Sequence, residues 1–334
     1  MRVLFVIQRY GADLSGGAEA LCRELATRLA RYGDDVEVLT SRARDYLTWA
    51  DSFPPGDTSD EGVLVHRLGV AAPRDIEKFG PLDGRVAWGR RRTPMFLQEA
   101  WMRAQGPGLL GFESWLHDHA PRFDVAVFFT YLYRTTRDGL RATASSVPSV
   151  LQATAHDEPH FWLPLFDTVL RQPTMYAFAT EEEQTLLQRR TSGRARGMLT
   201  RIGIEPGGEG DAARFRSAFG LDDRPYLLYV GRLDEAKGAL ELFAYFDAFK
   251  RRHHTPLVLV VVGDNPTSMP VPPDVVLTGF VDEQTKNDAY EGCLAVALPS
   301  YFESFSMTLA EGWARSRPAL VQARCAVTAG QTRR

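Results

Sequence analysis

MRVLFVIQRYGADLSGGAEALCRELATRLARYGDDVEVL, residues 1–39, is the stretch that decides the fold. Residues 3–7 form a continuous apolar run rich in β-branched side chains, as a strand covered on both faces of a parallel sheet requires. A loop with Gly11, Gly16 and Gly17 follows. From Ala18 the period becomes helical: Leu21, Leu25 and Leu29 share one stripe, Glu19 sits near the positive start, and Gly33 is a natural stop. Residues 36–39 are then a second strand, and strand, glycine loop, helix, strand is a βαβ unit.

Working outward, the alternation recurs with strands at 63–68, 125–129, 147–152 and 176–179, so the first half is α/β and doubly wound. Between residues 70 and 120 lies an insertion rich in Trp, Arg and Gly, with Arg90, Arg91 and Arg92 followed by Met95, Phe96, Leu97 and Trp101. It is expected to add helices to one face. A basic and aromatic helix there could instead rest on an anionic membrane. GIEPGGEG, residues 203–210, has four glycines, a proline and no apolar periodicity, and marks an interdomain linker. The expected domains are 1–205 and 206–334. The second α/β run has strands at 226–230, 257–262, 275–278, 294–298 and 319–321, and a helix at 239–249 burying Leu242, Phe243, Phe246 and Phe249.

The 334 residues suffice for about two domains, and the 44% hydrophobic content is that of a globular chain. A net charge of -3 argues against nucleic acid as partner. Three cysteines, odd in number and far apart, fit reduced thiols and a cytoplasmic setting. The N-terminal apolar run is too short for a signal-peptide core, and no run approaches the ~20 residues of a membrane-spanning helix.

Two segments carry chemistry. In YVGRLDEAKG, residues 229–238, a buried strand ends at Gly231 and delivers Arg232 and Lys237 just before a helix begins. Two cations beside a helix N-terminus make an anion site suited to a diphosphate. The plainer alternative is a solvated loop in which both pair with Asp234 and Glu235. In LPSYFESFSMTLAEGWA, residues 298–314, Glu303 and Glu311 would lie about 80° apart if both stood on one helix. Both could accept hydrogen bonds from sugar or ribose hydroxyls. Alternatively, Glu303 only favours the helix start and Glu311 faces water.

These two segments resemble the retaining glycosyltransferases of the GT-B fold, in particular the group typified by glycogen and sucrose synthases and bacterial mannosyltransferases. The resemblance implies two Rossmann-like doubly wound domains facing a cleft, and a donor that is a nucleotide-diphosphate sugar with no separate cofactor. It implies that Arg232 and Lys237 hold the donor diphosphate, that Glu311 binds ribose, and that Glu303 binds the transferred sugar. Gly231, Ser304 and Phe305 join the donor-binding positions. Gly16 and Gly17 resemble the family's N-terminal loop that lets backbone approach the donor phosphate and acceptor. His156, in ATAHDEPH, stands where the family carries a histidine contacting the donor sugar.

Pro159 disfavours the continuous helix that would let His156 and His160 share a zinc ion, and the sequence has no Asp-x-Asp to carry a diphosphate-bound metal. Metal-independent transfer is expected, with a donor phosphate oxygen as base; an inverting reaction would need a side-chain base instead. GADLSGG at residues 11–17 is not the G-x-G-x-x-G of a dinucleotide-dependent oxidoreductase. The chain ends earlier than the resemblance leads one to expect, which suggests an incomplete second domain and keeps open a non-catalytic nucleotide-sugar-binding protein or inactive fragment. A glycan, a lipid-linked molecule or a small molecule could be the acceptor, with peripheral contact at the inner membrane face as one possibility.

Overall fold

In a computed structural model, the residues described are all but 15, 206, 234–236, 266–267 and 334. The chain divides into two units, 1–202 and 203–334. The division falls just upstream of the expected 205/206 boundary because Ile202 still packs against the core of the first unit.

The first unit holds an eight-stranded sheet: β1 (Arg2–Val6), β2 (Asp35–Ser41), β3 (Gly56–Asp60), β4 (Val63–Leu68), β5 (Val125–Phe129), β6 (Ser149–Gln152), β7 (Met175–Phe178) and β8 (Gly197–Leu199). The spatial order is β3-β4-β2-β1-β5-β6-β7-β8, parallel except for the β3–β4 pair. β3 escapes sequence reading because GDTSD is a polar edge strand with no apolar alternation. β8, of three residues, is too short to show a period. The doubly wound logic is visible in β1: Val3 and Phe5 pack with Leu21, Cys22 and Ala26 of the helix Gly17–Arg31, while Leu4 and Val6 join Trp101, Met102 and Phe112 on the opposite face. Leu25, expected on the inward stripe, is instead 38% exposed.

The insertion does form helices, Ile76–Gly89, Met95–Gln105 and Phe112–His119. Trp101 is buried, donates its indole N–H to Asp83 Oδ1 at 2.7 Å, and stacks on His160. His160 Nε2 lies 3.0 Å from the same Asp83 oxygen. Burial alone would depress the His160 pKa, but the Asp83 carboxylate overrides it and the net shift is upward. An imidazole held above its ordinary value stabilises the fold fully below its unfolded value near 6.5, and that contribution is lost as pH rises through the folded value. Thermal unfolding is therefore expected to show a fall in stability above pH 6.5 that Asp83→Asn removes. An unchanged pH profile in that variant would contradict the pairing.

The second unit holds β9 (Tyr226–Val230), β10 (Val258–Val262), β11 (Val275–Gly279), β12 (Ala295–Leu298) and β13 (Ala319–Val321), all parallel, in the order β11-β10-β9-β12-β13. β10 is wholly buried, as its run of β-branched residues requires. The helix Ala239–Arg252 buries Phe243 and Phe246 as expected, but Phe249 is 41% exposed, with its ring against His253 near the helix end. Cys22, Cys293 and Cys325 are all buried and free. Among the described residues, no helix is long and apolar enough to cross a membrane.

Candidate functional site

In an open parallel sheet, ligands gather beyond the carboxyl ends of the strands where the winding reverses direction. In the second unit that reversal lies between β9 and β12, and the two motifs singled out from the sequence leave these two strands.

Glycines bring the loops together here. Gly231 has φ 145°, and a Cβ on Gly263 would lie 2.2 Å from the Gly231 carbonyl oxygen, so the loops after β9 and β10 meet backbone to backbone. Leu233 N–H donates to the Asp264 carbonyl at 2.8 Å across the same junction. Gly238, at φ 74°, caps the helix Ala239–Arg252, and a Cβ there would lie 2.5 Å from the Pro299 carbonyl oxygen. The loops after β9 and β12 are thereby close enough for Lys237 Nζ to reach Glu303 Oε1 at 2.8 Å. Gly238→Ala would combine left-handed strain with a backbone clash. It is expected to cost about 1–3 kcal/mol of the second unit's stability, readable by denaturant unfolding; an unchanged midpoint would show that this junction tolerates a side chain.

Arg232 is half-buried, and its carbonyl accepts from the Tyr229 hydroxyl at 2.8 Å. Asp234 and Glu235, its alternative partners in the sequence reading, lie outside the described residues. Glu303 corrects the sequence expectation: it is not helical. The helix begins at Met307, after Ser306 at φ 73°, so Glu303, Ser304 and Phe305 sit in the preceding loop and only Glu311 is on the helix. The two glutamates therefore share no helical face. Tyr301 in the same loop donates to Glu241 Oε2 at 2.6 Å, fastening it to the helix that follows Lys237.

Glu311 does not face water alone. Lys286 Nζ donates to its Oε1 at 3.0 Å and the buried Tyr290 hydroxyl to its Oε2 at 2.8 Å. Burial works to lower the Lys286 pKa, but the Glu311 and Glu283 carboxylates raise it further, so the ammonium stays charged. Lys286 and Tyr290 are one turn apart on the helix Glu283–Gly292, a placement the sequence did not flag as chemical.

In the first unit, winding reverses between β1 and β5, and the Gly16–Gly17 loop leaves β1 at that point. Gly16, at φ 149°, precedes the helix Gly17–Arg31, and a Cβ on it would lie 2.2 Å from Glu19 Oε2. The Glu19 side chain folds back over the glycine to accept from Gln8 Nε2 at 3.1 Å and Arg9 Nη2 at 2.6 Å. Both ion-pair partners, Arg9 and Glu19, are buried and were not among the sequence candidates. His156 lies in the loop after β6, with Nδ1 3.4 Å from Glu158 Oε1, which also accepts from the Tyr131 hydroxyl at 2.6 Å. The loop is pinned from below by Glu183, whose carboxylate accepts the Ala155 N–H at 2.8 Å and the Ala179 N–H at 2.7 Å.

Two such sheets in series, with glycine-rich loops at their carboxyl edges, define the GT-B architecture. Residues 224–332 match the family described as Glycosyl transferases group 1. An uncharacterized glycosyltransferase of Methanocaldococcus jannaschii is 31% identical over 115 residues, a match confined to 32% of this chain and 30% of the relative. Glycogen synthase of Mycobacterium tuberculosis is 26% identical over 341 residues, covering 95% of this chain and 77% of the relative. HepE of Anabaena, solved in complex with UDP and glucose, shares the fold at a TM-score of 0.63 and 15% identity, over 96% of this chain and 80% of that one. The second unit carries a Glycosyl transferases group 1 domain, on a chain whose fold is that of the GT-B structures.

Proposed function

We propose that this protein transfers a sugar from a nucleoside-diphosphate donor to an acceptor hydroxyl with retention of configuration and without a metal. The observation that carries the proposal is the Lys237–Glu303 pair, which sets a cation and an acceptor carboxylate 2.8 Å apart beyond the reversal point of the second sheet. Lys237, Arg232 and the N-terminus of the helix Ala239–Arg252 supply positive charge where a diphosphate leaving group develops negative charge. Glu303, with Ser304 and Phe305 in its loop, is assigned to the transferred sugar, and Gly231 leaves room for the donor beside the strand end. Glu311, oriented by Lys286 and Tyr290, keeps lone pairs to accept the ribose hydroxyls. In the first unit, the Gly16–Gly17 backbone is assigned to the acceptor side, and His156 to the transfer step rather than to retention of the nucleotide.

The test is a panel of nucleotide sugars, uridine diphosphate glucose among them because HepE was solved with UDP and glucose. Thermal shift and donor hydrolysis are measured for wild type, Arg232→Ala and Lys237→Ala. A stabilising donor whose effect disappears in both variants supports the site, whereas an equal response in all three proteins refutes it. Binding without any turnover would instead favour a nucleotide-sugar-binding protein.

A further inference from the structure

The segment 84–98, GRVAWGRRRTPMFLQ, contains four arginines and no acidic residue, in a chain whose net charge is -3. Arg85, Arg90, Arg91 and Arg92 are all exposed, and none has an acidic partner among the described residues. Interleaved with them, Trp88 is 89% exposed, Phe96 69% and Met95 49%. A tryptophan so exposed at the end of a helix, next to an unpaired arginine triplet, leaves apolar area and positive charge uncompensated together.

The patch is held firmly. Arg90–Arg92 form a single 3-10 turn, and the buried Thr93 that follows donates to the Val86 carbonyl at 3.3 Å and accepts through its own carbonyl from Gln98 Nε2 at 2.6 Å. The other end of Gln98 accepts the Leu165 N–H at 2.9 Å. The turn is thus anchored at its C-terminal side through Thr93, and its three arginines point away from the core.

We infer that this face of the first unit docks on an anionic lipid surface, with Trp88, Phe96 and Met95 entering the headgroup boundary and the arginines pairing with lipid phosphates. Charge complementarity selects the partner: arginines beside an aromatic ring and a thioether suit the apolar-to-anionic boundary of a bilayer. The patch is joined to the His156 segment, because Asp83 and Trp101 of the helices on either side of the arginine turn grip His160. Where the proposed transfer holds, the acceptor class that follows is an amphiphile, a hydroxyl-bearing headgroup on a lipid anchor. The docking itself needs no transfer reaction, so the two proposals fail separately.

The experiment is flotation of the full chain with phosphatidylcholine vesicles and with vesicles that also contain phosphatidylglycerol, at low and high salt, without any nucleotide sugar. Wild type is expected to float only with the anionic vesicles, and less at high salt. Replacing Arg90, Arg91 and Arg92 together by Gln is expected to lower partitioning by on the order of 100-fold. Trp88→Ser with Phe96→Ser is expected to reduce flotation while leaving unfolding temperature and donor hydrolysis unchanged. Wild type remaining with the unbound fraction at low salt would overturn the inference, as would a triple variant that floats like wild type. Sedimentation showing a dimer abolished by the same substitutions would replace it with self-association.

Discussion

Lys237→Ala is expected to lower kcat/KM for sugar transfer by about 10²–10³-fold, the loss seen when one preorganised donor to a developing anion is removed. Two effects act in the same direction. The ammonium that would neutralise the leaving diphosphate is gone, and Glu303, with a side chain only 16% exposed, loses the cation 2.8 Å away. An unpaired carboxylate at the mouth of an anion site then repels the donor, so affinity should fall along with turnover. Adding Glu303→Gln to Lys237→Ala removes that repulsion and should recover part of the donor affinity but little of the rate. Calorimetric titration and initial rates on the four proteins of the cycle separate the two contributions. If the single Lys237 variant turns over like wild type, the leaving group is stabilised elsewhere.

The second large effect is expected at Glu183. Its carboxylate is buried and accepts two backbone N–H groups, from Ala155 and Ala179, which tie the His156 loop to the start of the next helix. Glu183→Ala leaves both donors unpaired at about 1–3 kcal/mol each, so the first unit should lose roughly 2–6 kcal/mol in denaturant unfolding. Burial, the larger influence, pushes the carboxyl up to about 7 against the opposing pull of the two N–H groups. Because the folded value exceeds the unfolded one near 4.5, this group's stability contribution is complete below 4.5 and is lost as pH rises through about 7. The variant should therefore lack that part of the wild-type pH dependence. A loss below about 1 kcal/mol would mean that water or another group replaces the carboxylate.

Much of the architecture is legible locally. The apolar run of β1 and the β-branched run of β10 have no polar position to turn toward solvent, so each implies a sheet covered on both sides. The glycine stretch at 203–210 begins at the junction of the units, and none of its described residues is buried. Legibility fails where burial and period disagree. The polar edge strand β3 has no apolar face to betray it, and a helical stripe assigned from Leu21 does not reveal that Leu25 is left exposed.

The candidate site divides in the same way. Arg232 and Lys237 stand out in the sequence as candidates because a strand end, a glycine and a helix start lie within ten residues. Glu303 is a sequence candidate whose expected placement on the helix the structure corrects, since a left-handed Ser306 separates it from the helix that carries Glu311. The hydrogen-bond partners of these groups come from afar: Glu303 meets Lys237 across 66 residues, Glu311 meets Lys286 across 25, and Glu183 meets Ala155 across 28. Sequence alone determined the alternation of strand and helix and the cations at one strand end, because periodicity and backbone direction are local properties. Only the tertiary structure decided which carboxylate each cation meets and which aromatic rings stay uncovered, because those depend on strand order and on glycines that let separate loops touch.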